Sequence, residues 1–138
     1  MEDWSQALTP HLLREYAEVG AEATGTPLPF NYPVFGRDAF RTGTGVHAAA
    51  IIKAHKKGDD WLADRIYSGV PAGLIGRHQE IEIGPMSGQS NVVYWLESRG
   101  CEASPELVEE IFGRAKESKH VLDESEIAAI CEKRGITL

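Results

Sequence analysis

Three prolines fall within seven residues, at Pro27, Pro29 and Pro33 of this 138-residue chain. Each removes a backbone donor, fixes φ and turns the residue before it away from the helical region. No helix can run through this stretch and no central strand can pair along it. The chain must therefore be assembled from separate elements on either side of an extended connector, Thr26 to Pro33. Leu28, Phe30 and Tyr32 interleave with the prolines, and their apolar surface implies a connector packed down on its neighbours. Ahead of it, Thr9-Pro10 reads as an N-cap and first helical residue. Leu13, Tyr16, Ala17 and Gly20 keep helical spacing to about Ala23, and Thr24-Gly25 stops the helix.

Beyond the connector, Arg41-Thr42-Gly43-Thr44-Gly45 reads as a glycine-containing turn into a second helix. Val46, Ala49, Ala50 and Lys53 share one face of that helix, and Gly58 ends it. The cluster from Lys53 to Lys57 forms its basic last turn, where cations complement the helix dipole. Asp59 or Asp60 can cap a short segment containing Trp61, Leu62, Ile66 and Tyr67. Gln79 to Ile83 alternates as a short strand does. In the last third, Ser87 or Ser90 begins a helix through Val92, Val93, Trp95 and Leu96 that Gly100 closes. Ser104-Pro105-Glu106 begins the next, with Leu107, Val108, Ile111, Phe112 and Ala115 as its apolar stripe. Asp123-Glu124-Ser125-Glu126 is a capping box for the last, with Ile127, Ile130 and Cys131 inward. The expected fold is mainly α, an α+β arrangement with one or two short strands in two small subdomains, the C-terminal one of about three helices. The divisions fall at 1–36 for the first helix and connector, 37–84 for the Gly-Val-His subdomain and 85–138 for the helical subdomain.

Composition excludes several classes of function. Hydrophobic residues make up 42% and charged residues 25%, an ordinary globular balance. The run Ala48 to Ile52 is broken by Lys53, far short of the ~20 apolar residues of a membrane span. Met1-Glu2-Asp3-Trp4 lacks the basic start and apolar run of a signal peptide, so a cytoplasmic location is expected. A formal charge of −7 argues against a basic face for nucleic acid. Cys101 and Cys131 have no metal-binding or redox spacing and read as reduced cysteines.

The chain shows no Walker loop, no GxSxG elbow and no Rossmann fingerprint. The glycines of Thr42-Gly43-Thr44-Gly45 lack the spacing and lysine of a phosphate loop, and let a helix begin close to another backbone. Of the histidines His11, His47, His55, His78 and His120, none pairs at i, i+4 with another ligand type, so no metal site is expected from this chain. His47 is distinctive because it lies in the first turn of a helix. The positive dipole end there disfavours imidazolium, so a neutral ring is expected. Such a ring can exchange hydrogen bonds with a polar substrate, or serve as a local cap.

Phe40-Arg41-Thr42-Gly43-Thr44-Gly45-Val46-His47 and the helix after it resemble the post-barrel segment of the 2-isopropylmalate synthase and homocitrate synthase family. That segment carries Ala-Phe, a few small or polar residues, then Gly-Ile-His and a helix. Pro33-Val34-Phe35-Gly36-Arg37-Asp38-Ala39-Phe40 is similar to its Pro-Ile-Val-Gly-x-x-Ala-Phe. Ile83-Gly84-Pro85-Met86-Ser87-Gly88 is similar to its Gly-x-x-Ser-Gly turn, and Val121 to Ile127 to its final-helix start. The resemblance runs from about Leu8 to about Gly135. Val46 stands where Ile is usual, and Met86 where His is common.

The resemblance implies a transferase, with a metal-dependent TIM barrel followed by a linker of two small subdomains. The barrel holds a divalent metal (Mg, Mn or Zn) and a 2-oxo acid, and condenses the acid with acetyl-CoA in a Claisen-type reaction. Metal and base belong to the barrel, so the present residues are expected to be the linker part alone, inactive by themselves and without a regulatory domain. The linker is implied to cross a homodimer to the partner's barrel, bringing His47 and Tyr67 to the substrate as catalytic residues. The commonest reaction in the family points to 2-oxoisovalerate and leucine biosynthesis. Alternatives are a homocitrate or citramalate synthase-like segment, a free-standing protein-interaction module, or a small acyl-CoA-binding protein using the Lys53 to Lys57 cluster.

Overall fold

The computed structural model describes residues 9–137; the signal-peptide reading of Met1 to Trp4 lies outside them. The chain is mainly helical. Six α-helices, α1 (Pro10–Thr24), α2 (Gly45–Lys56), α3 (Asp60–Ala63), α4 (Gln89–Glu97), α5 (Pro105–Glu117) and α6 (Glu124–Lys133), accompany two short strands, β1 (Arg41–Thr42) and β2 (Glu80–Ile81). The strands pair in parallel, Arg41 opposite Glu80 and Thr42 opposite Ile81. Arg41 and Thr42, expected in a turn, are thus a strand. The reason is a pairing across about forty residues that local composition does not encode. Of the alternating run Gln79 to Ile83, only Glu80 and Ile81 pair.

The core divides in two. Ala48, Ile51, Ile52 and Ala54 of α2 pack with Ala63 and Ile81. Val46, Ala49 and Lys53 face outward, so the face they share is the solvent side of α2. The larger core joins α4, α5 and α6 through Val92, Trp95, Leu96, Leu107, Ile111, Ile127 and Cys131, with Ile83 and Leu122 from the flanking loops. Cys101 and Cys131 are both buried here and unbridged. Burial among apolar side chains pushes the Cys131 thiol up, and the neighbouring Cys101 adds to it.

The helix ends follow local chemistry, with four differences from expectation. Asp123 accepts from the Glu126 N–H at 2.9 Å while the Glu126 carboxylate accepts from the Asp123 N–H at 3.1 Å, a complete capping box. Ser104 caps α5 through the Leu107 N–H, and Asp59 caps α3 through the Leu62 N–H. Thr9 occupies the N-cap position of α1, but its side chain makes no capping bond. Neither Ser87 nor Ser90 caps α4. Gly88 holds that position, and the Asn91 side chain accepts from its N–H at 3.1 Å. The α3 helix stops at Ala63, which leaves Ile66 and Tyr67 in the following loop. The connector from Thr26 to Pro33 turns from Pro29 onward instead of staying extended, the Tyr32 N–H donating to the Pro29 carbonyl, and Phe30 and Tyr32 are largely exposed. It folds around buried Gly36, where a Cβ would sit 2.5 Å from the Phe30 carbonyl oxygen.

Candidate functional site

The first turn of α2 presents His47 to solvent, and the loop after α3 presents Tyr67. Twenty residues apart in sequence, the two rings stack with centroids 4.0 Å apart and planes at 27°. His55 and His120 are engaged through Asp60, and through Ser118 and Glu126. Among the described residues no hydrogen bond reaches the His47 ring. Its nitrogens are open to an approaching molecule. No acidic side chain occupies the first turn of α2, so the positive end of the helix is not neutralised locally.

Two hydrogen-bonded supports fix this pair. For His47 the support is the turn from Gly84 to Gly88. The Gly45 N–H donates to the Met86 carbonyl at 2.9 Å. The Ser87 hydroxyl donates to the Gly43 carbonyl at 2.6 Å and accepts from the Gly84 N–H at 2.9 Å. Gly45 meets Gly88 so closely that a Cβ on Gly45 would lie 2.7 Å from the Gly88 nitrogen. The glycine before the helix thus permits a close backbone approach, as its sequence context implies. Fully buried Asn91 binds the same turn, donating to the Glu82 carbonyl at 2.9 Å.

For Tyr67 the support is Asp64. Its carboxylate accepts from the Ala72 N–H at 2.9 Å and the Gly73 N–H at 2.8 Å. Buried Gln79 donates to the Ser68 hydroxyl at 2.7 Å, tying the residue after Tyr67 to the segment that becomes β2. Sequence reasoning singled out His47 and Tyr67 but missed Gln79, Asn91 and Lys116. The only local signal for these supports was the Ser-Gly turn itself.

Three large apolar side chains on the elements that carry or support the pair are exposed: Val46 at 78%, Met86 at 72% and Trp61 at 66% accessible. A separate cleft of about 700 Å³ lies between β2 and the start of α6. Its charges largely satisfy one another, Arg41 against Glu82 and Arg99 against Glu124. Burial raises the Glu82 carboxyl above its ordinary value, against the opposing pull of Arg41. Among the described residues no three His, Cys, Asp or Glu side chains are grouped to hold a metal ion. None of the described helices is long and apolar enough to cross a membrane.

No family model matches the chain. It is similar to the (R)-citramalate synthase of Aquifex aeolicus, 32% identical over 114 residues that cover 78% of this chain and 20% of that protein. It is 31% identical over 105 residues to homocitrate synthase AksA of Methanopyrus kandleri, covering 76% of this chain and 24% of that protein. A probable 2-isopropylmalate synthase of Archaeoglobus fulgidus is 28% identical over 109 residues, covering 79% and 20%. The chain therefore spans about a fifth to a quarter of the length of these curated relatives.

Proposed function

Since the chain is homologous over about 76% of its length to the 2-isopropylmalate, homocitrate and citramalate synthases, which form one family, we propose that it completes the active site of a condensing acyltransferase. In this reading it is the linker part of the enzyme. It docks the exposed apolar surface around Val46, Trp61 and Met86 on a TIM barrel, in a homodimer, and projects His47 and Tyr67 toward the substrate. The barrel supplies the divalent metal and the base. His47 supplies a hydrogen bond to the oxygen of the 2-oxo acid as it becomes an alkoxide, or to the thioester of acetyl-CoA. The unneutralised start of α2 favours the same negative charge. Tyr67 holds the imidazole plane in place. The observation that carries the reading is the His47–Tyr67 stack, open to solvent on elements that also expose Val46 and Trp61. A free-standing interaction module would use the exposed apolar side chains but gives no purpose to a polar network under His47 and another under Tyr67.

The substrate proposed is a 2-oxo acid with acetyl-CoA as donor. Relatives named for three different products leave 2-oxoisovalerate as one member of the class to be assayed. The test is a chimera in which this chain replaces the matching segment of the Aquifex aeolicus relative. Release of coenzyme A is followed with pyruvate, 2-oxoisovalerate and 2-oxoglutarate. The chain alone gives no turnover, and the chimera does. His47→Ala lowers its kcat by about 10- to 10⁴-fold, the scale of a lost acid–base or transition-state contact, while folding persists. Wild-type kcat in a folded His47→Ala chimera would overturn the assignment.

A further inference from the structure

We propose that Lys116, in the last turn of α5, is a positioning residue for His47 and acts through the turn from Gly84 to Gly88. The proposal rests on the reading of His47 just given. A lysine near a helix C-terminus ordinarily complements the dipole of its own helix. Lys116 does something more specific. Its ammonium donates to the Pro85 carbonyl at 2.8 Å and to the Ser87 carbonyl at 2.7 Å. The carbonyl between these two, that of Met86, takes the N–H of Gly45 at 2.9 Å. Three consecutive carbonyls are thus shared between one cation of α5 and the first N–H of α2.

Among the described residues Lys116 forms no ion pair. Its other close neighbour is the Phe112 ring, 4.9 Å from Nζ. Its charge is therefore committed to the turn, and hydrogen bonds from an ionised donor are roughly twice as strong as neutral ones. His47 lies two residues beyond Gly45, inside the first turn of a helix, where the backbone has little freedom to absorb a shift. A displacement of the turn reaches the imidazole as a change in its overlap with Tyr67. In this way the C-terminal three-helix core, which holds no part of the candidate site, sets where the histidine points.

The test uses the 138-residue chain and the NMR signals of its histidine rings. Stacking on Tyr67 shields the His47 ring protons, and Tyr67→Leu gives the unstacked position. Lys116→Met is expected to move the His47 signals toward that position while those of His55 stay. It is also expected to speed exchange of the Gly45 amide by about tenfold or more, the scale of a lost charged hydrogen bond. Lys116→Arg, which keeps a cation and several donors, is expected to restore both. Unchanged His47 signals and Gly45 exchange in a folded Lys116→Met chain would overturn the proposal, as would a lowered melting temperature with the stack intact. Lys116 and Lys119 are both exposed, yet in the unsubstituted chain the Lys116 ammonium protons, held by two carbonyls, are expected to exchange more slowly than those of Lys119. Equal exchange would overturn the proposal even if Lys116→Met fails to fold. None of these readouts needs catalysis. A displaced ring together with unimpaired His47→Ala turnover would sink the functional reading and leave the positioning intact.

Discussion

Gly45→Ala separates helix propensity from tertiary contact by the sign of its effect. Gly45 is the first residue of α2, and its backbone has no positive φ that would exclude alanine. Propensity alone then predicts stabilisation of about 0.4–1 kcal/mol, from a less flexible unfolded chain. The contact predicts the reverse. The new Cβ would lie 2.7 Å from the Gly88 nitrogen, 3.2 Å from its Cα and 3.4 Å from the Ser87 carbonyl carbon, all backbone atoms. Relieving the shortest of these requires the helix start and the turn to part by about 0.7 Å, which breaks the 2.9 Å bond from Gly45 to Met86. Overpacking costs about 1–3 kcal/mol and the lost bond about 0.5–1.5 kcal/mol. After the propensity gain is subtracted, destabilisation of about 0.5–4 kcal/mol remains. For a domain of this size that lowers Tm by about 2–15 °C. Thermal melting followed by circular dichroism reads it, with Gly20→Ala in α1 as the control. Gly20 has nothing within 4 Å of its missing Cβ, so its substitution is expected to raise Tm. A Tm for Gly45→Ala at or above that of the parent would refute the close approach and remove the physical reason for glycine before His47.

Two further perturbations test the supports elsewhere. Asn91→Leu keeps the branched shape with a larger side chain, leaves the Gly88 N–H without its acceptor and takes one of two donors from the Glu82 carbonyl, so a loss of about 2–4 kcal/mol is expected in urea unfolding; a value under about 1 kcal/mol would mean that water or a rearranged turn satisfies the Gly88 N–H. At the start of α6, the Ser125 hydroxyl and the Glu126 N–H hold the Asp123 carboxyl below its ordinary range, and His120 does the same for Glu126. A lowered folded pKa means that this stabilisation is complete above the unfolded value, near pH 4, and is lost as pH falls through the folded value. Asp123→Asn, which still caps, is expected to flatten the Tm profile on the acid side and leave neutral pH little changed, and an unaltered acid limb would show that Asp123 does not contribute to it.

The elements that sequence reasoning located best are those specified by residues a few positions apart. The capping box at Asp123 and Glu126, the Ser104-Pro105 start of α5 and the left-handed stop at Gly25 each require only local bonds. The bonds that make them all lie within a few residues, so local chemistry and the final fold agree. The misreadings share a different cause. Arg41 and Thr42 resemble part of a glycine-bearing turn until Glu80 and Ile81 come alongside. Ser87 has the composition of an N-cap, yet its hydroxyl is taken by Gly43, forty-four residues earlier, and this leaves Gly88 to begin α4. In both cases a distant partner competed for the group that local reasoning had already assigned.

The same division runs through the candidate site. His47 and Tyr67 were legible because resemblance marked them, and His47 also because a histidine at a helix start has a definable electrostatic setting. The geometry that makes them a pair was not legible. It depends on a lysine twenty-nine residues beyond Ser87, on a glutamine eleven residues beyond Ser68 and on two glycine backbones in near contact. None of these leaves a periodic trace, because a single hydrogen bond between distant loops has no repeat. The supports instead leave polar residues buried, Asn91 and Gln79, and an exposed amine bonded to two carbonyls, Lys116. A buried polar side chain unmatched must carry its desolvation cost, so Asn91 and Gln79 persist only where their bonds are made. Those bonds converge on the segments that carry His47 and Tyr67, not on the centre of the three-helix core. That placement supports the two stacked, exposed rings from both of the segments that carry them.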